Sequence, residues 1–229
     1  MVVSGAQITF VVRFLKTNLR EFRNTNPLRM NFLAHLASSG EREGVLMGNY
    51  IGDFIKGQLT PLRTEKWSAD FLLGIRLHRF IDHFTDTNPG VLEAKRFLAR
   101  KHPKVAGVAL DIFFDYFLAN HFPEFYQADL ASFINHSYGI IQKNKDLVPA
   151  AMLPMAEAMI RHDWLYNYKE ITGIKRSFDG LSRRFAFMAA IQGAEIELQQ
   201  NEATYEAAFL EFYPKLKDAC EDFIKKNES

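Results

Sequence analysis

Three residues spaced four apart, His78, Asp82 and Asp86, are the first in this chain with the types and spacing to do chemistry. On a helix that spacing stacks their side chains along one face, here beside an apolar stripe of Leu73, Leu77, Ile81 and Phe84 or Phe80. An imidazole and two carboxylates at the edge of a buried face lose hydration, so they must be paired, hydrogen-bonded or bound to a cation. Asp111 and Asp115 repeat the spacing among Leu110, Ile112, Phe113, Phe114 and Tyr116, where two like charges repel without a cation between them. Asp53 sits in Gly48-Asn49-Tyr50-Ile51-Gly52-Asp53-Phe54-Ile55-Lys56-Gly57. Glycine inside a helix costs about 1 kcal/mol, so three of them suggest close backbone approach. One reading of these rows is ordinary ion pairing, with Arg76 or Arg79 serving the acids, His78 capping a carbonyl and Asp53 a cap or solvated acid. The other is a divalent-metal site, and a mixture of imidazole nitrogen and carboxylate oxygen suits manganese, iron or magnesium better than a thiolate-type zinc site.

The elements that position these residues read as helices. From Asn31 onward apolar residues recur at three and four positions with almost no strand-type alternation, which predicts an all-α fold. A long helix over 67–84 carries His78 and Asp82 and is stopped by Asn88-Pro89-Gly90. A second begins at Pro103 and ends before Pro123, with Val105, Val108, Ile112, Phe113, Tyr116 and Phe117 on its apolar side. Further helices are expected over 125–143, 149–161, 178–198 and 203–226. Residues 1–29 differ from the rest: Arg13, Lys16, Arg20, Arg23 and Arg29 face one acid, Glu21, and Asn24-Thr25-Asn26-Pro27 closes the segment. The expectation is an N-terminal extension, residues 1–29, followed by one helical domain, residues 30–229.

Composition narrows the classes. Nearly half the 229 residues are apolar and 21 are Phe, enough for a sizeable core. With 28 Lys+Arg against 27 Asp+Glu, the chain lacks the strong positive field of a nucleic-acid binder. Cys220 is the sole cysteine, so no internal disulfide or Cys-x-x-Cys site exists, and cytoplasmic residence is expected. The apolar run at 8–12 is too short for a membrane span or secretory core. A Walker-type phosphate loop is absent, and no Glu-x-x-His pair supports a di-iron bundle.

Several separated segments together resemble the acyl carrier protein phosphodiesterase family. They are Met30-Asn31-Phe32-Leu33-Ala34-His35-Leu36, Gly48-Asn49 with Asp53-Phe54, Gly74-Ile75-Arg76-Leu77-His78-Arg79-Phe80-Ile81-Asp82 with Thr85-Asp86, Leu110-Asp111 with Asp115 and Phe117-Leu118, Ser182-Arg183-Arg184, and Phe212-Tyr213-Pro214. The likeness runs in order from Met30 to about Lys215. It implies a metal-dependent phosphodiesterase that hydrolyses 4′-phosphopantetheine from a serine of holo-acyl carrier protein, commonly with manganese, in a helical fold distantly similar to HD-type phosphohydrolases. It also places Asp53 at a catalytic acidic position and His35, His78, Asp82, Asp111 and Asp115 at motif positions, so the expected metal set is His35, Asp53, His78, Asp82, Asp111 and Asp115. The adjacent His-Asp dipeptide that names HD-type enzymes occurs only at His162-Asp163, outside these motifs.

Hydrolysis of a charged diester needs positive charge to offset that developing on phosphorus. In the implied reaction Asp53 ligates the metal or orients water, His78 contributes to the cage, Arg79 or Arg76 braces a phosphate oxygen, and His121 donates a proton to the leaving serine oxygen. Because the carrier protein is acidic, Lys175, Arg176, Arg183 and Arg184 form the candidate docking patch. Two other readings remain open, a metal-dependent phosphohydrolase of another small diester or nucleotide, and a non-catalytic helical binding module.

Overall fold

The computed structural model describes residues 31–227, and the basic extension at 1–29 lies outside that range. Twelve α-helices and three short 3-10 turns make up the described residues, with no strand among them. The helices are α1 (Phe32–Ala37), α2 (Glu43–Tyr50), α3 (Pro61–Thr64), α4 (Ala69–Thr87), α5 (Pro89–Ala99), α6 (Ala106–Phe125), α7 (Leu130–Lys143), α8 (Leu153–Arg161), α9 (Trp164–Asn167), α10 (Ile171–Arg184), α11 (Ala194–Gln200) and α12 (Glu202–Lys226). The all-α expectation therefore holds across the described chain.

Helix α6 is the hub. Its apolar residues lie all round the helix, as expected of one enclosed by others, and α1, α5, α7, α10 and α12 pack on it. Phe113 meets Phe178 of α10 and Tyr205 of α12, while Phe114 and Phe117 meet Phe209 of α12. Helix α4 starts where Ser68 Oγ accepts from Phe71 N at 3.2 Å. Asn88 ends α4 and also begins α5, its side chain accepting from Val91 N with Pro89 in the first turn.

Several expected boundaries differ, those at Pro123 and within 178–198 the most instructive. Pro123 does not end α6; the helix runs on to Phe125 because Phe122 is fully buried and Phe125 packs edge-on against Phe209 and Tyr213. That burial outweighs the backbone bond a proline removes from the final turn. The stretch expected as one helix over 178–198 is instead α10, a 3-10 turn (Ala186–Ile191) and α11, divided at the extended Phe185 and at Gly193, whose φ of 84° favours glycine.

The site depends on how closely α2 and α4 approach. A Cβ added at Gly48 would collide with the Phe71 carbonyl and lie 2.9 Å from Ile75 N; one at Gly74 would collide with the Val45 carbonyl and lie 2.8 Å from Asn49 N. The two helices thus cross backbone to backbone, which brings the end of α2 directly under His78 of α4.

Candidate active site

His35 comes from α1, His78 and Asp82 from α4, and Asp53 from the 3-10 turn (Gly52–Phe54) after α2. The imidazoles stack with centroids 4.2 Å apart. His35 Nε2 lies 3.7 Å from Asp82 Oδ1, and His78 Nε2 lies 3.6 Å from both Asp82 Oδ2 and Asp53 Oδ1. The histidine side chains are 4% and 5% exposed against 15% for Asp53 and 23% for Asp82, so the carboxylates form the mouth of the site and the rings its floor.

Helix geometry explains the placement. Asn49 is in the last turn of α2, where carbonyls lack an intrahelical partner, and His78 Nδ1 meets its backbone oxygen at 2.9 Å. The Asn49 side chain meets His35 Nδ1 at 2.7 Å through Oδ1 and donates through Nδ2 to the His35 carbonyl at 2.7 Å and Ser39 Oγ at 2.9 Å. Both rings therefore turn Nε2 toward the acids. Gly52 is glycine because a Cβ there would fall onto His78 Cγ and within 2.5 Å of its Cβ.

His35, His78 and Asp82 offer ligand atoms within 4.8 Å of one another, a group able to hold a metal ion. Two ligands each about 2.1 Å from one ion lie roughly 3.0–3.6 Å apart, close to the observed separations. Among the described residues no hydrogen-bond partner meets the buried His78 Nε2, which is costly unless something else does. The donor set fits a divalent cation. Burial pushes the Asp53 carboxyl up, but His78 in its protonated form, with Lys56 and His35, outweighs it and holds the group below the usual carboxylate range. Lys56 Nζ is 3.6 Å from Asp53 Oδ1 and half-exposed at the rim.

The remaining sequence candidates lie elsewhere. Asp115 is completely buried under α1, where Oδ2 accepts from Leu33 N and Oδ1 from Ala34 N, both at 3.0 Å. It supplies the N-terminal cap that Asn31 does not provide. Burial pushes its carboxyl well above the usual range, against those two N–H groups, and Asp111 adds to the rise. Asp111 stands half-buried one turn earlier on α6, and Asp86 is exposed near the end of α4. Neither joins the group above. Arg79 donates to the carbonyls of Ile55 at 2.9 Å and Gly57 at 2.7 Å, tethering the chain that follows Asp53, while Arg76 is exposed.

His121 lies inside α6, and Glu124 (2.8 Å) and Glu206 of α12 (2.7 Å) occupy its two ring nitrogens. Burial lowers its pKa, but the two carboxylates more than offset this and raise it. Lys175, Arg176, Arg183 and Arg184 all belong to α10; Lys175 pairs with Asp179 at 3.0 Å and Arg176 donates to Asn167 Oδ1 at 3.2 Å. The three arginines line a cavity of about 470 Å³ with Met155, Trp164 and Phe185. His162 lines it too, and neither His162 nor Asp163 joins the histidine–aspartate group.

Sequence reasoning missed Asn49, Ser39 and Lys56. Asn49 and Lys56 lie inside the glycine-punctuated segment, which was the available signal.

Comparison with known proteins places the whole group inside one matched region. The profile of the acyl carrier protein phosphodiesterase family matches residues 30–216. A protein named acyl carrier protein phosphodiesterase from Photorhabdus laumondii is 31% identical over 194 residues, 84% of this chain and 96% of its own. One of the same name from Yersinia enterocolitica is 30% identical, covering 84% and 98%, and one from Escherichia coli O157:H7 is 29% identical, covering 82% and 95%. No solved structure matches the chain. No helix among the described residues is long and apolar enough to cross a membrane. Since the match extends over His35, Asp53, His78 and Asp82 together with nearly all the helices that hold them, this chain belongs to the acyl carrier protein phosphodiesterase family.

Proposed function

We propose that this chain hydrolyses the phosphodiester linking 4′-phosphopantetheine to the serine of holo-acyl carrier protein, with a divalent cation held by His35, His78, Asp82 and Asp53. The observation that carries this reading is the convergence of two buried imidazole Nε2 atoms on two carboxylates at 3.6–3.7 Å. Relatives named for this substrate and activity support its choice. Manganese, with magnesium or iron(II) as alternatives, suits the nitrogen and oxygen donors.

When bound, the cation supplies positive charge that offsets the charge growing on phosphorus and eases deprotonation of the attacking water. Asp53, held ionised, accepts a hydrogen bond from that water and orients it. Lys56, beside Asp53 at the rim, meets a non-bridging phosphate oxygen. The water oxygen bonds to phosphorus as the bond to the serine oxygen breaks, and the proton that the water gives up ends on that oxygen, yielding apo-carrier and 4′-phosphopantetheine. Arg79 holds the segment behind Asp53. The acidic carrier docks on α10, where Arg176, Arg183 and Arg184 face the cavity.

The test incubates manganese-loaded protein with holo-acyl carrier protein and follows the carrier's mass. Conversion to the apo form, abolished by chelation and by Asp82→Asn, is expected. Manganese-loaded protein that leaves holo-carrier intact would overturn the substrate assignment.

A further inference from the structure

We infer that Asn49 is a positioning residue that dictates the tautomer of both histidines, so that each presents an Nε2 lone pair to the cation; this rests on the metal reading above. The argument uses only donor and acceptor chemistry. Asn49 Nδ2 faces the His35 carbonyl at 2.7 Å, and a carbonyl can only accept, so the amide orientation is determined. Oδ1 must then face His35 Nδ1 at 2.7 Å, and because an amide oxygen can only accept, Nδ1 carries the hydrogen. Ser39 completes the lock: its hydroxyl donates to the same His35 carbonyl at 2.8 Å and accepts from Asn49 Nδ2 at 2.9 Å.

The second ring obeys the same logic through a different atom. His78 Nδ1 lies 2.9 Å from the Asn49 backbone carbonyl, so it too is the protonated nitrogen. In their neutral forms both imidazoles then turn an Nε2 lone pair toward carboxylate oxygens 3.6–3.7 Å away. Lone pair facing carboxylate is repulsive, and a cation between them reverses the sign. One fully buried residue, in a helix end pressed against α4 by the Gly48–Gly74 crossing, thus prepares both nitrogen ligands before metal arrives.

The split between side chain and backbone makes this testable. Full-length protein labelled with ¹⁵N-histidine is studied without metal at about pH 8.5, roughly two units above an ordinary imidazole pKa. In the wild type both His35 and His78 should show a protonated Nδ1 and a bare Nε2. In Asn49→Ala, His35 should lose that preference while His78 keeps it, since its partner is backbone; in Asn49→Asp, which retains the acceptor, His35 should keep it. Manganese affinity measured by calorimetry should fall about 10–100-fold in Asn49→Ala and recover in part in Asn49→Asp.

An Nε2–H tautomer or a persistent imidazolium at either histidine in the wild type overturns the inference, whether or not the alanine variant folds. So does an alanine variant with unchanged nitrogen shifts and affinity. Wild-type protein with the expected tautomers but no affinity for manganese would instead refute the metal reading and leave the tautomer assignment standing.

Discussion

Replacing Gly52 with alanine tests whether the site depends on backbone pressed against His78. The new Cβ would fall on His78 Cγ, 2.5 Å from its Cβ and 2.6 Å from Cδ2. Ordinary carbon contact begins near 3.4 Å, so ring and turn must separate by more than about 1 Å. His78 cannot retreat freely, because its Nδ1 is held by the Asn49 carbonyl and its ring is stacked on His35. The turn carrying Asp53 must give instead, or the ring must tilt, and either opens the 3.6 Å gap between His78 Nε2 and Asp53. Metal–ligand distances tolerate only about 0.2 Å, so manganese affinity should fall about 10–100-fold. Overpacking of this kind costs about 1–3 kcal/mol, a loss of roughly 2–12 °C in Tm for a chain this long. Calorimetric titration with manganese and thermal melting read both quantities. Gly139→Ala on α7, where an added Cβ meets nothing, is the matched control and should leave affinity unchanged. A Gly52→Ala protein with wild-type manganese affinity and wild-type Tm would refute the reasoning.

Asp115→Ala should cost about 2–5 kcal/mol by stranding the buried N–H groups of Leu33 and Ala34, with manganese binding weakened because α1 carries His35; a Tm unchanged in melting experiments would remove Asp115 from its capping role. Arg79→Met should lower turnover of holo-carrier severalfold with a small loss of Tm, since it frees the segment after Asp53 and leaves the ligands in place; equal turnover in a mass-based assay would show that the tether is dispensable. The His121 pKa is raised in the folded chain, so its contribution to stability is complete below the unfolded value, about 6.5, and is lost as pH rises through the folded one. The Tm difference between wild type and His121→Gln should therefore be largest near pH 6 and shrink by about pH 9, and a difference independent of pH would contradict the two-carboxylate arrangement.

What could be read from the chain in advance follows from the range of each interaction. His78 and Asp82 are neighbours on one helix face, so their spacing alone announces them, and the 3.6 Å approach reflects local geometry. Asp86 shares the spacing but not the site, because α4 carries it past the end of α2 into solvent. Asp111 and Asp115 show where local spacing misleads. The pair suggests a cation, whereas Asp115 answers the buried N–H groups that open a short helix 82 and 81 positions away in sequence. Only the tertiary fold reveals that α1 begins without a side-chain cap of its own. His35 likewise could be singled out only through likeness to a family, since nothing in its neighbourhood repeats the row on α4.

Asn49 was the hardest residue to foresee, and the reason is physical. Uncharged and solitary, it carries none of the cost that makes a buried charge conspicuous in a sequence. Its importance arises because the atoms that fix the rings each have one permissible role: carbonyls accept, the amide nitrogen donates, and each histidine is left with one nitrogen for the acids. The glycines at 48 and 74 are legible as close approach, yet what that approach achieves depends on which carbonyl is presented at the contact. Had α2 ended one residue earlier, the last turn would offer His78 a different oxygen, and the two rings would no longer be oriented by a single side chain and its own backbone. Charged groups announce themselves in the sequence, while the neutral hydrogen-bonding partners that orient them come to light only in the fold.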